Sequence, residues 1–312
     1  MILGVYVISS STELFIPECT GLEECYDFDR RMARLAVWDV DWIKTDFRHV
    51  IHMGLLVFSY ELFGNYKVLV LSSSVLLLLI SYLWALKLTE KRIAGLITIA
   101  VMLQSFIFYN YDTSVTYPSF WALLFITSIY LTTTSRSYFS PLAYVISIPA
   151  KAVTGLFFPA VIAYLWLDNK KKLLIIYFVI AMIGFSVIFF YEPLQNRDTG
   201  GFFLLNEIDL EKFLMGFVSW MWKGFADDQS TLLIFIVVFF LLLMNRNKIP
   251  NCKPVLALAA GIILISPVMI GLTTYDVWPY RMLPLISIIG VMTSILITNL
   301  NKIDVSMFLG KR

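Results

Sequence analysis

The sequence predicts an all-α, polytopic integral membrane protein with about ten transmembrane helices and amphipathic helices on its outer face. Three observations predict it. Of 312 residues, 59% are hydrophobic and 15% charged, with a mean hydropathy of +0.79. Soluble domains are nearer half apolar and a quarter charged. The apolar residues gather into runs close to the roughly 20 that cross a bilayer. Basic residues collect in alternate connections, as the positive-inside rule requires.

The elements follow in order, as one membrane domain over 1–312. Residues 1–17 form a short first span, interrupted by the polar stretch SSSTE. They carry no basic n-region of the kind that opens a signal peptide. Residues 18–66 form a polar outer loop with a surface helix suggested by Met32, Leu35, Ala36 and Trp38, closing in the amphipathic piece HVIHMGLLVFSYELFG. Spans are expected at 67–89, 93–110 and 118–134. A shorter helical pair lies within 140–168, broken at Pro149, and further spans lie at 173–191, 231–245, 254–271 and 281–300. In the long outer loop 192–230, Leu210, Phe213, Leu214, Phe217 and Met221 recur at helical spacing beside Trp220 and Trp222. That pattern suits a helix lying in the interface, as an ordinary lid or as part of a site.

Charge orients these spans. Lys87, Lys91, Arg92, Arg136, Lys170, Lys171, Lys172, Arg246, Lys248, Lys253, Lys302, Lys311 and Arg312 fall on one side, with Glu90, Asp168 and Asp304 as its acids. That side is expected in the cytoplasm, with both termini. The remaining acids and the candidate site face outside. Cys19 and Cys25 fall on that outer, oxidising side, as a disulfide or as two free thiols, and Cys252 falls on the reducing side. No basic tract suggests nucleic acid.

The chemistry concentrates in Tyr26–His52, which holds Asp27, Asp29, Asp39, Asp41, Asp46 and both histidines. A single carboxylate can serve as general base on a hydroxyl acceptor. The pair Asp39 and Asp41 can bind a divalent cation beside a leaving diphosphate, or simply be solvated. His49 and His52, three apart, share a helix face and suit hydrogen bonding at the interface or, with a further ligand, zinc. Asp112 ends one span amid Tyr109, Tyr111 and Tyr117, which anchor at the interface or touch a sugar. Lys151 sits at the bend of a hairpin otherwise nearly free of charge, where a cation can grip a lipid phosphate. Arg281 opens the last span in WPYRMLP, as a snorkelling anchor or a second phosphate contact.

These pieces resemble the GT-C type membrane glycosyltransferases, in particular the dolichyl-phosphate-mannose protein mannosyltransferases and the aminoarabinose transferases. The residues that carry the resemblance are Tyr26, Asp27, Asp29 and Ala33, then His49, His52 and Phe63–Gly64, then Asp112, Lys151, Tyr280, Arg281 and Pro284. The chain departs from the family pattern after the first loop, where His52 is followed by Met53 rather than proline. The resemblance implies transfer of a sugar from a polyprenyl-phosphate donor to an acceptor protein or glycolipid, outside the membrane and without a nucleotide sugar. It implies catalytic roles for Asp27, Asp29 and Asp112, and substrate binding by His49, His52, Lys151, Tyr280 and Arg281. No cofactor is singled out, and a divalent cation at Asp39 and Asp41 is left open. A transporter would place charges and broken helices at the bilayer midplane, often in repeated halves. A non-catalytic membrane subunit on the same scaffold is the other alternative.

Overall fold

The computed structural model describes residues 2–16, 50–115, 117–151, 153–180, 182–183, 210–272 and 278–303. Regular structure among the described residues is helical throughout, as expected. In chain order the helices are α1 (Ile2–Ser11), α2 (Val50–Phe63), α3 (Lys67–Thr89), α4 (Arg92–Gln104), α5 (Phe106–Tyr111), α6 (Phe120–Thr132) and α7 (Ser140–Ala150). Then come α8 (Val153–Leu156), α9 (Phe158–Leu167), α10 (171–180), α11 (Leu210–Trp222), α12 (Gln229–Met244), α13 (Cys252–Leu272) and α14 (Leu283–Thr298).

The central post is α14. Every side chain from Leu283 to Leu296 is buried. A helix that is apolar all round needs neighbours on every side, and here these are α3, α4, α6, α12 and α13. Close approach depends on missing side chains. A Cβ on Gly261 of α13 would stand 2.5 Å from the Cβ of Ala160 and 2.9 Å from its Cα, so this position is what lets α13 lie against α9.

Two helical segments among the described residues, Lys67–Thr89 and Pro279–Thr298, are long and apolar enough to cross a membrane. Others expected as full spans are shorter. The helix in residues 1–17 is α1, with 10 residues, about 15 Å long. The span expected at 93–110 is two helices, because Ser105 adopts an extended conformation and its hydroxyl caps α5 by accepting from the Phe108 amide. The break expected at Pro149 falls at Lys151 instead. Pro149 stays inside α7, while Lys151 is extended, with φ −160° and ψ 116°. The expected interfacial helix is α11, and it packs along α13, with Gly216 over Pro267. Leu210 and Leu214 of its predicted stripe face outward.

The two ends of the bundle differ. One end is closed by tight turns in which Glu90, Asn169 and Asn251 take left-handed conformations, with φ of 58°, 57° and 57°. Cross-ties hold this end. The Lys91 ammonium donates to the Thr298 carbonyl at 2.7 Å, and the Asn251 amide donates to the Leu88 carbonyl at 2.7 Å. Lys170 pairs with Asp168 at 2.7 Å. The opposite end gathers the C-terminus of α5, the bend at Lys151 and the 3-10 turn Pro279–Met282 that leads into α14.

The contact at Gly261 makes a prediction. Gly261→Ala should lower the thermal stability of the purified protein by about 1–3 kcal/mol, the usual range for overpacking. Gly54→Ala, in a helix with nothing within 4 Å of the new methyl, should leave stability unchanged or raise it by up to about 1 kcal/mol. Equal effects of the two substitutions on the unfolding midpoint would contradict the packing described.

Candidate functional site

The site begins with a backbone problem. The chain must pass from α4 to α6 through α5 and the residues on either side of it, 105–115 and 117–119, and the polar groups of this connection need partners. They find them on four elements. At its entry, the Asp228 carboxylate accepts from the Ser105 hydroxyl and from the Ile107 amide at 3.2 Å. The same carboxylate caps α12 by accepting from the Thr231 amide at 3.3 Å. One buried acid therefore serves the starts of two helices, where a negative charge is favoured. Nearer the exit, Ser74 of α3 donates to the Asp112 carbonyl at 2.7 Å, and Ser119 exchanges hydrogen bonds with Ser73 and Ser74.

Asp112 itself is 1% exposed. Its Oδ2 accepts from the Tyr6 hydroxyl at 2.6 Å and from Ser10 at 3.1 Å, both on α1. Among the described residues, Oδ1 accepts no hydrogen bond. Burial pushes the Asp112 carboxyl up from 3.8 to about 6; the bonds from Tyr6 and Ser10 oppose the rise, and the nearby Glu13 charge adds to it. Glu13 accepts from the Thr113 hydroxyl at 2.7 Å. Lys67 then fixes this corner by donating to the carbonyls of Glu13 and Ile16 at 3.1 and 2.9 Å.

One residue before Asp112, Tyr111 enters an aromatic cluster. Its ring meets Tyr117 and Tyr280 edge-on, each with centroids 6.0 Å apart. Tyr117 and Tyr280 stack at 4.2 Å with an interplanar angle of 12°. Two cations meet this plate. Lys151 Nζ stands 4.7 Å from the Tyr280 centroid and 5.9 Å from that of Tyr117. Arg281 Cζ stands 5.6 Å from the Tyr280 centroid, and its Nε donates to the Tyr280 hydroxyl at 3.3 Å. These separations lie within cation–π range. Arg281 is itself buried, at 8% exposure, so it does not reach out from the protein as a snorkelling anchor would. Two positive charges held beside phenol hydroxyls make a place where a phosphate can bind.

Of the residues expected at the site, the structure thus brings together Lys151, Tyr280 and Arg281, and puts Asp112 next to Tyr111 of the same cluster. His52 is buried on α2, which packs against α3 and α7. Asp27, Asp29, Asp39, Asp41, His49, Cys19 and Cys25 lie outside the described residues. Among the described residues, no group of three His, Cys, Asp or Glu side chains is placed to hold a metal ion. Sequence reasoning missed Tyr6, Ser10 and Asp228. The first two had a signal: they are four apart, hence on one face of an otherwise apolar helix. No family model, curated protein or solved structure matches the chain.

The raised Asp112 carboxyl gives a pH dependence. The folded state holds this proton up to about pH 6, while the unfolded chain releases it near 3.8. Between those values the folded state binds more protons, so stability from this group is present at low pH and lost as pH rises through about 6. Asp112→Asn should flatten that part of the unfolding-midpoint profile. An unchanged slope in the variant would assign the dependence to another group.

Proposed function

We propose that the chain is a polytopic membrane glycosyltransferase, moving a sugar from a polyprenyl-phosphate donor to a hydroxyl of an acceptor protein or glycolipid. The observation that carries this reading is the meeting of Lys151 and Arg281 on the stacked Tyr117–Tyr280 plate, beside the Asp112 turn. A glycosyl phosphate needs its leaving phosphate neutralised, and two cations meet that need. The acceptor oxygen attacks the anomeric carbon as the bond from that carbon to the phosphate oxygen breaks. The electron pair leaves with the polyprenyl phosphate, and the acceptor proton passes to a carboxylate. Asp27, Asp29 and Asp112 are the candidates for that base, and a carboxylate with a pKa near neutrality is the better base.

The membrane part of the reading has its own support. On α12, Leu233, Val237, Phe240 and Met244 form an exposed row, and on α11 so do Leu210, Leu214, Val218 and Trp222. A helix in water turns its polar face outward, whereas contiguous exposed apolar surface marks contact with a membrane or a partner. The proposed arrangement has the Asp112–Lys151–Arg281 end on the non-cytoplasmic side and the end with Lys91, Lys170 and Lys253 in the cytoplasm, following the distribution of basic residues.

One observation favours a second reading, a non-catalytic membrane subunit. The Asp112 carboxylate is enclosed by α1, with Tyr6 and Ser10 on one oxygen, which is how a purely structural acid is held. A transporter has no such observation in its favour.

The test is release of polyprenyl phosphate by purified protein from a panel of short-chain polyprenyl-phosphate monosaccharides. Lys151→Gln and Arg281→Gln should each reduce the rate by about 10²–10³-fold. Among Asp27→Asn, Asp29→Asn and Asp112→Asn, the variant that removes the base should lose about 10²–10⁴-fold. If Asp112 is the base, the wild-type rate also rises with pH through about 6. Failure of the wild type to release polyprenyl phosphate from any member of the panel would favour the subunit reading.

A further inference from the structure

At the end of the bundle opposite Asp112, a groove of about 420 Å³ runs between α9, α12 and α13. That volume lies in the range of about 300–1,000 Å³ typical of ligand pockets. Its construction follows from two helical stripes. On α12, Phe239 and Leu243 lie four apart, and Arg246 continues the same face just beyond the helix end. On α13, Lys253, Ala257 and Ala260 recur at the spacing of one face. The alanines recess the floor, while Phe239 and Leu243 wall it with Leu167 of α9. Because the chain reverses between α12 and α13, Arg246 and Lys253 come to the same mouth.

Both cations are exposed. Neither makes a hydrogen bond or ion pair with another described residue. Among the described residues, no acid lines the groove. The groove thus has an apolar body and an uncompensated positive mouth. The complementary ligand carries a hydrocarbon chain and a negative head on one molecule. The same end of the bundle also bears Lys171 and Lys172 around a second, hydroxyl-rich pocket, together with Lys170, which is paired with Asp168, so cations outnumber acids near the groove.

We infer that this groove is a binding site for an anionic phospholipid of the surrounding leaflet, with an acyl chain between α12 and α13 and the headgroup phosphate on Arg246 and Lys253. The site is separate from the sugar-transfer cluster. It rests on the membrane part of the proposed function and not on the chemistry.

The test uses full-length protein in a nonionic detergent, stripped of lipid, with native mass spectrometry reading the lipid bound after addition of phosphatidylglycerol or phosphatidylcholine. The wild type should retain one phosphatidylglycerol per chain in preference to phosphatidylcholine. Replacing both cations, Arg246→Gln with Lys253→Gln, should weaken phosphatidylglycerol binding by roughly thirty-fold. Ala257→Leu, which fills the groove and leaves the cations in place, should weaken both lipids. Equal binding of the two lipids by the wild type, or unchanged phosphatidylglycerol binding after loss of both cations, would overturn the inference. So would displacement of the lipid by inorganic phosphate alone, which points to a free anion, or a dimer that forms as lipid is removed, which points to a second copy of the chain. Release of the protein from membranes by alkaline carbonate without detergent would instead refute the membrane reading itself. The lipid measurement is independent of turnover.

Discussion

A helix with no exposed face dictates this architecture. Because α14 is apolar on every side, its burial requires a ring of neighbours, and α3, α4, α6, α12 and α13 supply it. The packing of these helices, in turn, fixes where their connections emerge. The turn that starts α14 carries Tyr280 and Arg281, so the requirement to bury α14 also sets the position of the cationic-aromatic cluster. The hairpin of α7 to α9 brings Lys151 to the same place from a different part of the sequence. The candidate site is thus built at an end of the core, where burial stops and polar groups must find partners.

Asp112 shows what such an end demands. A carboxylate at 1% exposure is unfavourable unless it is hydrogen-bonded or protonated. Here both remedies are in part present: Tyr6 and Ser10 satisfy one oxygen, and the carboxyl holds its proton to about pH 6. The consequence is mechanical as well as chemical. Among the described residues, the side chains that donate to this carboxyl, Tyr6 and Ser10, come from α1, so the acid joins α1 to the centre of the bundle. Asp228 does the equivalent for α5 and α12. The two acids bracket one short helix, α5, and hold it at both ends.

Much of the fold was legible from composition and periodicity. The helix expected at 67–89 is α3, because a long, largely apolar run without proline, glycine or an interior charge admits few alternatives. Lys151 and Arg281 stood out because a charge bordering apolar sequence is conspicuous, while Tyr280 entered through the resemblance, as the neighbour of Arg281. Other features were hidden for physical reasons. Ser105 starts a new helix, α5, through its own hydroxyl, and serines within apolar runs give no period to read. Pro149 pointed to a break two residues early, because it stays in the last turn of α7 and Lys151 is the residue that turns extended. The pairing of Tyr6 with Asp112 spans 106 positions, and no local pattern encodes a contact at that distance. Four carboxylates of the opening loop, Asp27, Asp29, Asp39 and Asp41, stand outside the described residues, so their reading rests on sequence alone.

The two ends of the bundle hold their residues under different rules. At the end closed by Glu90, Asn169 and Asn251, a left-handed backbone selects the side chain, and asparagine is there because it tolerates that conformation. At the end that carries Asp112, Lys151 and Arg281, charge and hydrogen bonding select it instead. A glycine at Asn169 would therefore preserve what that position does, whereas asparagine at 112 matches the size of the carboxyl beside Tyr6 and not its proton chemistry. One end is closed by turns whose residues handedness selects, and it also carries the groove with Arg246 and Lys253 at its mouth. The other is where the molecule's chemical vocabulary is concentrated, and it is the end at which substitution changes meaning rather than shape.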